Sequence, residues 1–226
     1  MPSEARDLHD LEAAAKSRLL TISCGLDAAQ CALWPVLPQG TRSLLLLSPA
    51  QPAFWPGFTA SSEWRDGAAD PMDRWSRRVI SDWAAEIGAE ALFPFGGPPW
   101  LPFLGWAQAS GAVHASPVGM LVHRGMGLFT SFRGALALSW EVTPPAATPR
   151  PCDACAAPCT TACPVDALGG AEGYDVAACK AHLRRPEGQG CLRGGCLARR
   201  SCPAATPGAR LPAHSAYHMR QFLGVT

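Results

Sequence analysis

The chain of 226 residues carries 19 Lys and Arg against 18 Asp and Glu, which leaves a formal charge of +1. So small a charge gives no electrostatic basis for nucleic-acid binding, and 48% hydrophobic residues predict a packed core. No apolar stretch reaches the roughly 18 residues that span a bilayer, and residues 1–18 lack the apolar segment of a signal peptide. We therefore expect a cytoplasmic protein that binds neither nucleic acid nor membrane, whose ten cysteines stay reduced and available to metal.

Helix and strand patterns alternate through the first two thirds of the chain. The strongest pattern predicts a helix at residues 70–88, which begins at Asp70 and Pro71 and ends at Gly88. Such alternation favours a mixed α/β fold. In chain order, the predicted elements are helix 3–18 with Ser3 as its N-cap, strand 19–24, strand 43–48, helix 70–88, strand 90–95, helix 101–110, strand 119–122 and strand 132–140.

A proline-rich run at residues 143–151 divides the chain, because it can continue neither a helix nor a central strand. Eight of the ten cysteines follow this run, and the charge changes across it as well. Residues 1–149 carry ten basic and thirteen acidic side chains, whereas residues 150–226 carry nine and five. We predict two domains, at residues 1–145 and 146–226.

Four cysteines with the spacing C-x₂-C-x₃-C-x₃-C-P open the second domain: Cys152, Cys155, Cys159 and Cys163. The pattern differs by one residue from C-x₂-C-x₂-C-x₃-C-P, the bacterial ferredoxin pattern, whose fourth cysteine ligates the other cluster in two-cluster proteins. A four-cysteine zinc site is the alternative. Structural zinc usually takes two close pairs of cysteines separated by a longer loop, so the spacing favours iron and sulfide.

Four further cysteines supply enough ligands for a second 4Fe–4S cluster. In the interleaved arrangement the first site takes Cys152, Cys155, Cys159 and Cys202, and the second takes Cys163, Cys179, Cys191 and Cys196. Cys24 and Cys31 are interpreted as buried thiols outside both sites, and His182, His214 and His218 are left out of the ligand sets. Five arginines lie where they can donate hydrogen bonds to the clusters or offset their charge, a solvated basic face being the alternative: Arg184, Arg185, Arg193, Arg199 and Arg200.

The second domain resembles the iron–sulfur module of epoxyqueuosine reductases and, more distantly, of reductive dehalogenases. The resemblance rests on the segment from Tyr174 to Cys179, which is similar to the family's isolated cysteine after a short strand, and on the closing motif that ends in Cys202-Pro203. It implies two 4Fe–4S clusters with the interleaved ligands given above. It also implies an electron-donor protein of the flavodoxin or ferredoxin type.

The first domain resembles the same superfamily, and especially the CblC-type cobalamin-processing proteins. This resemblance implies a nitroreductase-like mixed sheet with flanking helices, followed by a small ferredoxin-like domain, and a corrinoid or, second to it, a flavin held by the first domain. Glycines let a flat ligand approach the backbone and aromatic rings give it apolar contact, although a plain turn with two core aromatics explains the same residues. The residues implied in cofactor binding are His123, Gly125, Gly127, Phe129, Phe132 and Arg133, followed by Gly134.

The chain departs from epoxyqueuosine reductases at one functional position. Those enzymes carry a catalytic acid in the region that corresponds to residues 92–99, where this chain has LFPFGGPP and no acid. Since a general acid cannot be replaced by Phe or Gly, that reaction is not predicted. Three functions stay open: a redox protein that passes single electrons to a bound corrinoid or flavin, a ferredoxin-like carrier without a catalytic cofactor, and an iron–sulfur redox sensor.

Overall fold

The computed structural model describes residues 7–170 and 173–225. The protein is a mixed α/β chain with small antiparallel sheets and helices, and it divides into two compact units. Unit 1 comprises the chain up to Val113 together with Ser131–Pro149, and unit 2 comprises His114–Thr130 and the chain from Arg150 onward. The segment His114–Thr130, predicted within the first domain, belongs to unit 2 because its backbone hydrogen-bonds to residues 204–206.

The described residues form six strands and ten α-helices. The strands are β1 Leu20–Leu26, β2 Ser43–Pro49, β3 Glu90–Leu92, β4 Val113–Ala115, β5 Leu121–His123 and β6 Gly134–Leu138. The helices are α1 Leu8–Ser17, α2 Ala28–Cys31, α3 Phe54–Thr59, α4 Ser62–Arg65, α5 Pro71–Ile87, α6 Phe103–Ala109, α7 Val176–Leu183, α8 Gln189–Gly194, α9 Leu197–Arg200 and α10 Pro212–Leu223.

Unit 1 is built on a four-stranded sheet in the order β1-β2-β6-β3, with antiparallel pairing throughout. Every residue of β2 and β6 is buried, which explains why four consecutive leucines, residues 44–47, stand in β2 where a half-exposed strand would alternate. Gly134 begins β6 at a crowded point, since a Cβ there would lie 2.7 Å from Ile80 and 3.0 Å from the Leu92 carbonyl oxygen. The central strands thus form the core of this unit.

Helix α5 confirms the strongest sequence prediction. Asp70 stands at the N-cap position in the left-handed conformation, but its side chain makes no capping hydrogen bond. The helix ends at Gly88, whose φ of 71° suits glycine. Its inward face is an apolar stripe in which Val79 is half-buried and five side chains are buried: Met72, Trp75, Ile80, Trp83 and Ile87.

The other predicted elements are present with shifted bounds. Helix α1 begins at Leu8 and is capped by Asp7, whose carboxylate accepts a hydrogen bond from the Asp10 amide at 3.0 Å; the predicted cap, Ser3, lies outside the described residues. Strand β3 ends at Leu92 rather than at residue 95, and β4 was not predicted. In the described part of the chain, no helix has the length and apolar character that crossing a membrane requires.

Unit 2 contains β5, the part of β4 that follows Val113, and three short α-helices, α7, α8 and α9, that lead to α10. Its buried side chains form two small clusters, one around Val122 and Leu128 and the other around Leu183 and Leu223. Cysteines belong to both clusters, since a reduced thiol packs as a small hydrophobic side chain. The core of unit 2 is therefore continuous with its cysteine sites.

Candidate metal centre

The first cavity of unit 2 is surrounded by four cysteines and by apolar side chains. Its volume is about 340 Å³, including space open to solvent. Val122 and Leu128 form part of its wall, together with several prolines and alanines. The four cysteines, here named the first set, are the predicted ligands of the first cluster: Cys152, Cys155, Cys159 and Cys202.

A second cavity of about 370 Å³, again including space open to solvent, contains the remaining four cysteines of this unit. Its wall includes Leu183, Leu197 and Met219 as well as the polar side chains of Tyr174 and His182. The four cysteines, here named the second set, are the predicted ligands of the second cluster: Cys163, Cys179, Cys191 and Cys196. The interleaved assignment therefore describes which thiols share a cavity.

Tight turns bring the first set together. Ala157 adopts a left-handed φ of 51° and donates its amide hydrogen to the Cys155 sulfur at 3.3 Å. The chain then enters the 3-10 turn Pro158–Thr160, which holds Cys159 with only 6% of its surface exposed. Cys202 comes from much later in the chain, two residues after the end of α9. Ala157 is not a glycine, so holding it at a positive φ costs conformational free energy where the chain turns back within the motif.

Helices position most of the second set. Cys179 lies on α7, which Asp175 caps by accepting the Ala178 amide at 2.8 Å, so this cysteine follows a helix cap and not the short strand that the resemblance implies. Cys191 lies on α8, and Cys196 stands at the N-cap of α9. Between them Gly195 has a φ of +90°, and a Cβ there would lie 2.5 Å from Ser215. Only glycine fits this link, which separates Cys191 and Cys196 by four residues.

The thiols interact electrostatically within each set. Burial is the main cause that raises the pKa of Cys152, Cys159, Cys179 and Cys191. The neighbouring thiols that raise the pKa of Cys159 further all belong to the first set, and those that raise the pKa of Cys191 all belong to the second. Because four thiolates in one cavity repel each other, a bound metal centre is what would stabilise their ionised form.

Each cavity also contains a buried polar atom without a hydrogen-bond partner among the described residues. In the first cavity this atom is the hydroxyl oxygen of Ser116, and in the second it is Nε2 of His182. Ser116 is 7% exposed and His182 is 9% exposed. A buried donor left unpaired costs about 1–3 kcal/mol, and the sulfur atoms of an iron–sulfur cluster accept such hydrogen bonds. The all-sulfur donor set and these two atoms fit the implied clusters.

In residues 7–170 and 173–225, no three His, Cys, Asp or Glu side chains converge as the ligands of a metal ion. The four thiols of each set surround a cavity instead. In a 4Fe–4S cluster each thiolate binds a different iron atom, so the ligands are spread around the cluster and do not meet at one point.

The turn that carries four of the predicted cofactor-binding residues lies in unit 2. His123 and Gly127 exchange backbone hydrogen bonds of 2.8 and 3.3 Å across the turn. The Gly125 amide donates to the Ala204 carbonyl at 2.8 Å, and a Cβ on Gly127 would lie 2.8 Å from Ala205. Phe129 has its ring 5.4 Å from the Arg210 guanidinium. The two glycines thus allow residues 204–206, just after Cys202, to approach the turn.

The other two predicted cofactor-binding residues belong to unit 1. The ring of Phe132 is 7% exposed and lies 6.3 Å from Phe103. Arg133 forms an ion pair of 3.1 Å with Asp73 on α5, and its backbone amide donates to Leu47 at 2.7 Å. Both residues are engaged in the packing of the unit to which they belong.

Sequence reasoning gave no role to three polar residues of the cavity walls. Tyr174 lies with Cys179 in the wall of the second cavity, and Ser116 and His182 carry buried polar atoms that have no partner among the described residues. No spacing rule identifies Ser116, which lies in the loop between β4 and β5. Of the five arginines predicted near the clusters, Arg199 alone is partly buried and the other four are exposed.

Comparisons of the chain with protein-family models, with curated proteins and with solved structures found no match.

Proposed function

We propose that this protein is an iron–sulfur electron-transfer protein that holds two 4Fe–4S clusters in unit 2. The observation that carries the proposal is the separation of eight cysteines into two largely apolar cavities, four to each. Four thiolates are the ligand set of a 4Fe–4S cluster, and such a cluster, when bound, accepts and releases single electrons. The unpaired atoms of Ser116 and His182 support the same conclusion.

The residues of unit 2 would do three things for such clusters. The two cysteine sets would hold them, and Val122, Leu128 and Leu183 would keep water from one side of each cavity. The amides of Ala157 and Ala167 already donate to cysteine sulfurs at 3.3 Å, which stabilises negative charge on the ligands. Solvent exclusion and hydrogen bonds to sulfur are the properties by which a protein sets the reduction potential.

The finer assignment of the fold is part of this proposal. Unit 2 would be a ferredoxin-type module and unit 1 a nitroreductase-like scaffold, as the resemblance to epoxyqueuosine reductases and CblC-type proteins implies. The electrons would come from a donor protein of the flavodoxin or ferredoxin type. Unit 1 would then serve to dock the donor or the acceptor of the electron.

An electron carrier is favoured over a corrinoid- or flavin-linked enzyme by the turn at His123. Gly125 and Gly127 were predicted to admit a flat ligand, but both are engaged by residues 204–206 of the same unit. We therefore expect no heat of binding when hydroxocobalamin or a flavin is titrated into the protein in a calorimeter. Cobalamin binding that Phe129→Ala weakens would instead favour the corrinoid-linked function.

The proposed activity is tested by following single electrons. The anaerobic protein, reduced with dithionite and freed of excess reductant, should lose its brown colour and then transfer about two electrons per chain to cytochrome c. The Cys159→Ser variant should transfer fewer, because oxygen is a poor substitute for thiolate at iron. Absence of any electron release from an iron-loaded protein would refute the function.

A further inference from the structure

The two cavities match in two of their polar features. A backbone amide donates to one cysteine of each set, from Ala157 to Cys155 and from Ala167 to Cys163, in both cases at 3.3 Å. Each cavity also has a single side-chain atom that is buried without a partner among the described residues. These shared features give no reason for the two sites to differ.

Tyr174 distinguishes the second cavity from the first. It lies in the wall of the second cavity together with Cys179, its hydroxyl and the Cys179 thiol affect each other's pKa, and its ring stacks on Phe222 with centroids 5.9 Å apart and planes at 18°. The stacking restrains the ring, although 43% of the residue is exposed. The wall of the first cavity contains no tyrosine.

Arg199 is the second difference. The side chain lies on α9, three residues after Cys196, and it donates from Nη1 to the Leu128 carbonyl at 2.5 Å. Burial lowers the pKa of this guanidinium, while the thiol of Cys196 and the hydroxyl of Tyr174 act in the opposite direction. None of the ion pairs found among the described residues includes Arg199. Its positive charge is therefore not neutralised by a carboxylate in these pairs.

At the first cavity, the arginine that interacts with a cysteine thiol is Arg150, and its surroundings differ from those of Arg199. Arg150 favours the thiolate of Cys152, but 42% of its side chain is exposed and it pairs with Asp153 at 3.3 Å. Water and the carboxylate both screen its charge, whereas the partly buried Arg199 is screened less. The second cavity thus has one more hydroxyl in its wall, and the cation that interacts with Cys196 is screened less than the one that interacts with Cys152.

We infer that Tyr174 and Arg199 raise the reduction potential of the cluster held by the second set above that of the cluster held by the first. Hydrogen bonds to sulfur and net positive charge both stabilise the reduced state, which carries one more negative charge. An electron received by the protein would then reside at the second site. This inference rests on the proposed function.

The test is an anaerobic redox titration of the iron-loaded protein, followed by electron paramagnetic resonance. We expect two separate one-electron steps. Tyr174→Phe keeps the ring stacking and removes only the hydroxyl, so it should shift the higher step to a lower potential and leave the other step unmoved. Ser116→Ala should shift only the lower step, which identifies that step with the first site.

Arginine variants give an independent second measurement. Arg199→Gln should also shift the higher step downward, and Arg199→Lys should restore most of the potential because it keeps the charge. Arg200→Gln is the matched control, since Arg200 is the next residue along and is exposed; it should move neither step. Iron and sulfide contents equal to those of the unsubstituted protein are required of each variant.

The outcomes separate the inference from the proposed function. The inference would be overturned if neither Tyr174→Phe nor Arg199→Gln shifted a reduction step, or if they shifted the lower step only. Either result would leave the two clusters of the proposed function in place. A protein that binds no iron and sulfide would overturn the proposed function and the inference with it. The two variants act through different groups. If one of them loses iron, the redox titration of the other still tests the inference.

Discussion

Replacement of Gly127 by alanine tests whether the contact between the turn at His123 and the segment after Cys202 stabilises unit 2. Gly127 has a φ of +53°, and a Cβ there would lie 2.8 Å from the Ala205 amide nitrogen and 2.8 Å from the Ala205 Cβ. The left-handed conformation costs an alanine about 1–2 kcal/mol, and forcing a methyl group into a filled space costs about 1–3 kcal/mol more. We expect Gly127→Ala to lower the free energy of unfolding of unit 2 by about 2–5 kcal/mol.

Gly119→Ala is the control for the backbone conformation alone. Gly119 lies in the same unit with a φ of +73°, and nothing lies within 4 Å of a Cβ placed there. This variant should lose only about 1–2 kcal/mol. Anaerobic guanidinium unfolding followed by far-ultraviolet circular dichroism measures both losses, and iron retention should fall only in Gly127→Ala, since the Ala205 amide donates to the Cys202 carbonyl at 3.3 Å. Equal losses in the two variants would refute the reasoning.

Three further predictions concern single side chains. Cys159→Ser should remove or convert one cluster, whereas Cys31→Ser should keep the full iron content, as measured by iron analysis; equal losses would mean that the ligand sets are misassigned. The Arg78 guanidinium lowers the pKa of Glu63 from 4.5 to about 2. The stabilisation that Glu63 supplies is therefore present above pH 4.5 and lost as the pH falls toward 2. When the free energy of unfolding is measured as a function of pH, the Glu63→Gln variant should lack this loss. Gly134→Ala should destabilise unit 1 by about 1–3 kcal/mol through overpacking, seen as a lower melting temperature, and an unchanged value would contradict the crowding at β6.

The grouping of the cysteines was predicted from the interleaved two-cluster arrangement, in which the first three cysteines of the motif combine with the final Cys-Pro and the fourth serves the other cluster. In the structure each predicted set lines a cavity of its own, and the binding of clusters there stays a prediction. Helix α5 was equally accessible to prediction, since the stripe from Met72 to Ile87 and the stop at Gly88 are local signals.

The remaining features depend on contacts between distant parts of the chain. Gly125 and Gly127 suggest close approach to something, but the sequence does not say that residues 204–206 are what approaches. Ser116 reaches the first cavity from the loop between β4 and β5, which belongs to unit 2 by packing and not by sequence position. Such long-range pairings leave no periodic signal, so the segment His114–Thr130 was predicted in the first domain.

The iron and acid-labile sulfide content of the anaerobically prepared protein tests the central claim most directly. Two four-cysteine sites predict about eight iron atoms and about eight sulfides per chain, together with a brown protein that dithionite bleaches. About four iron atoms and four sulfides per chain would mean that the protein holds one cluster and not two. Stoichiometric zinc without sulfide would contradict it.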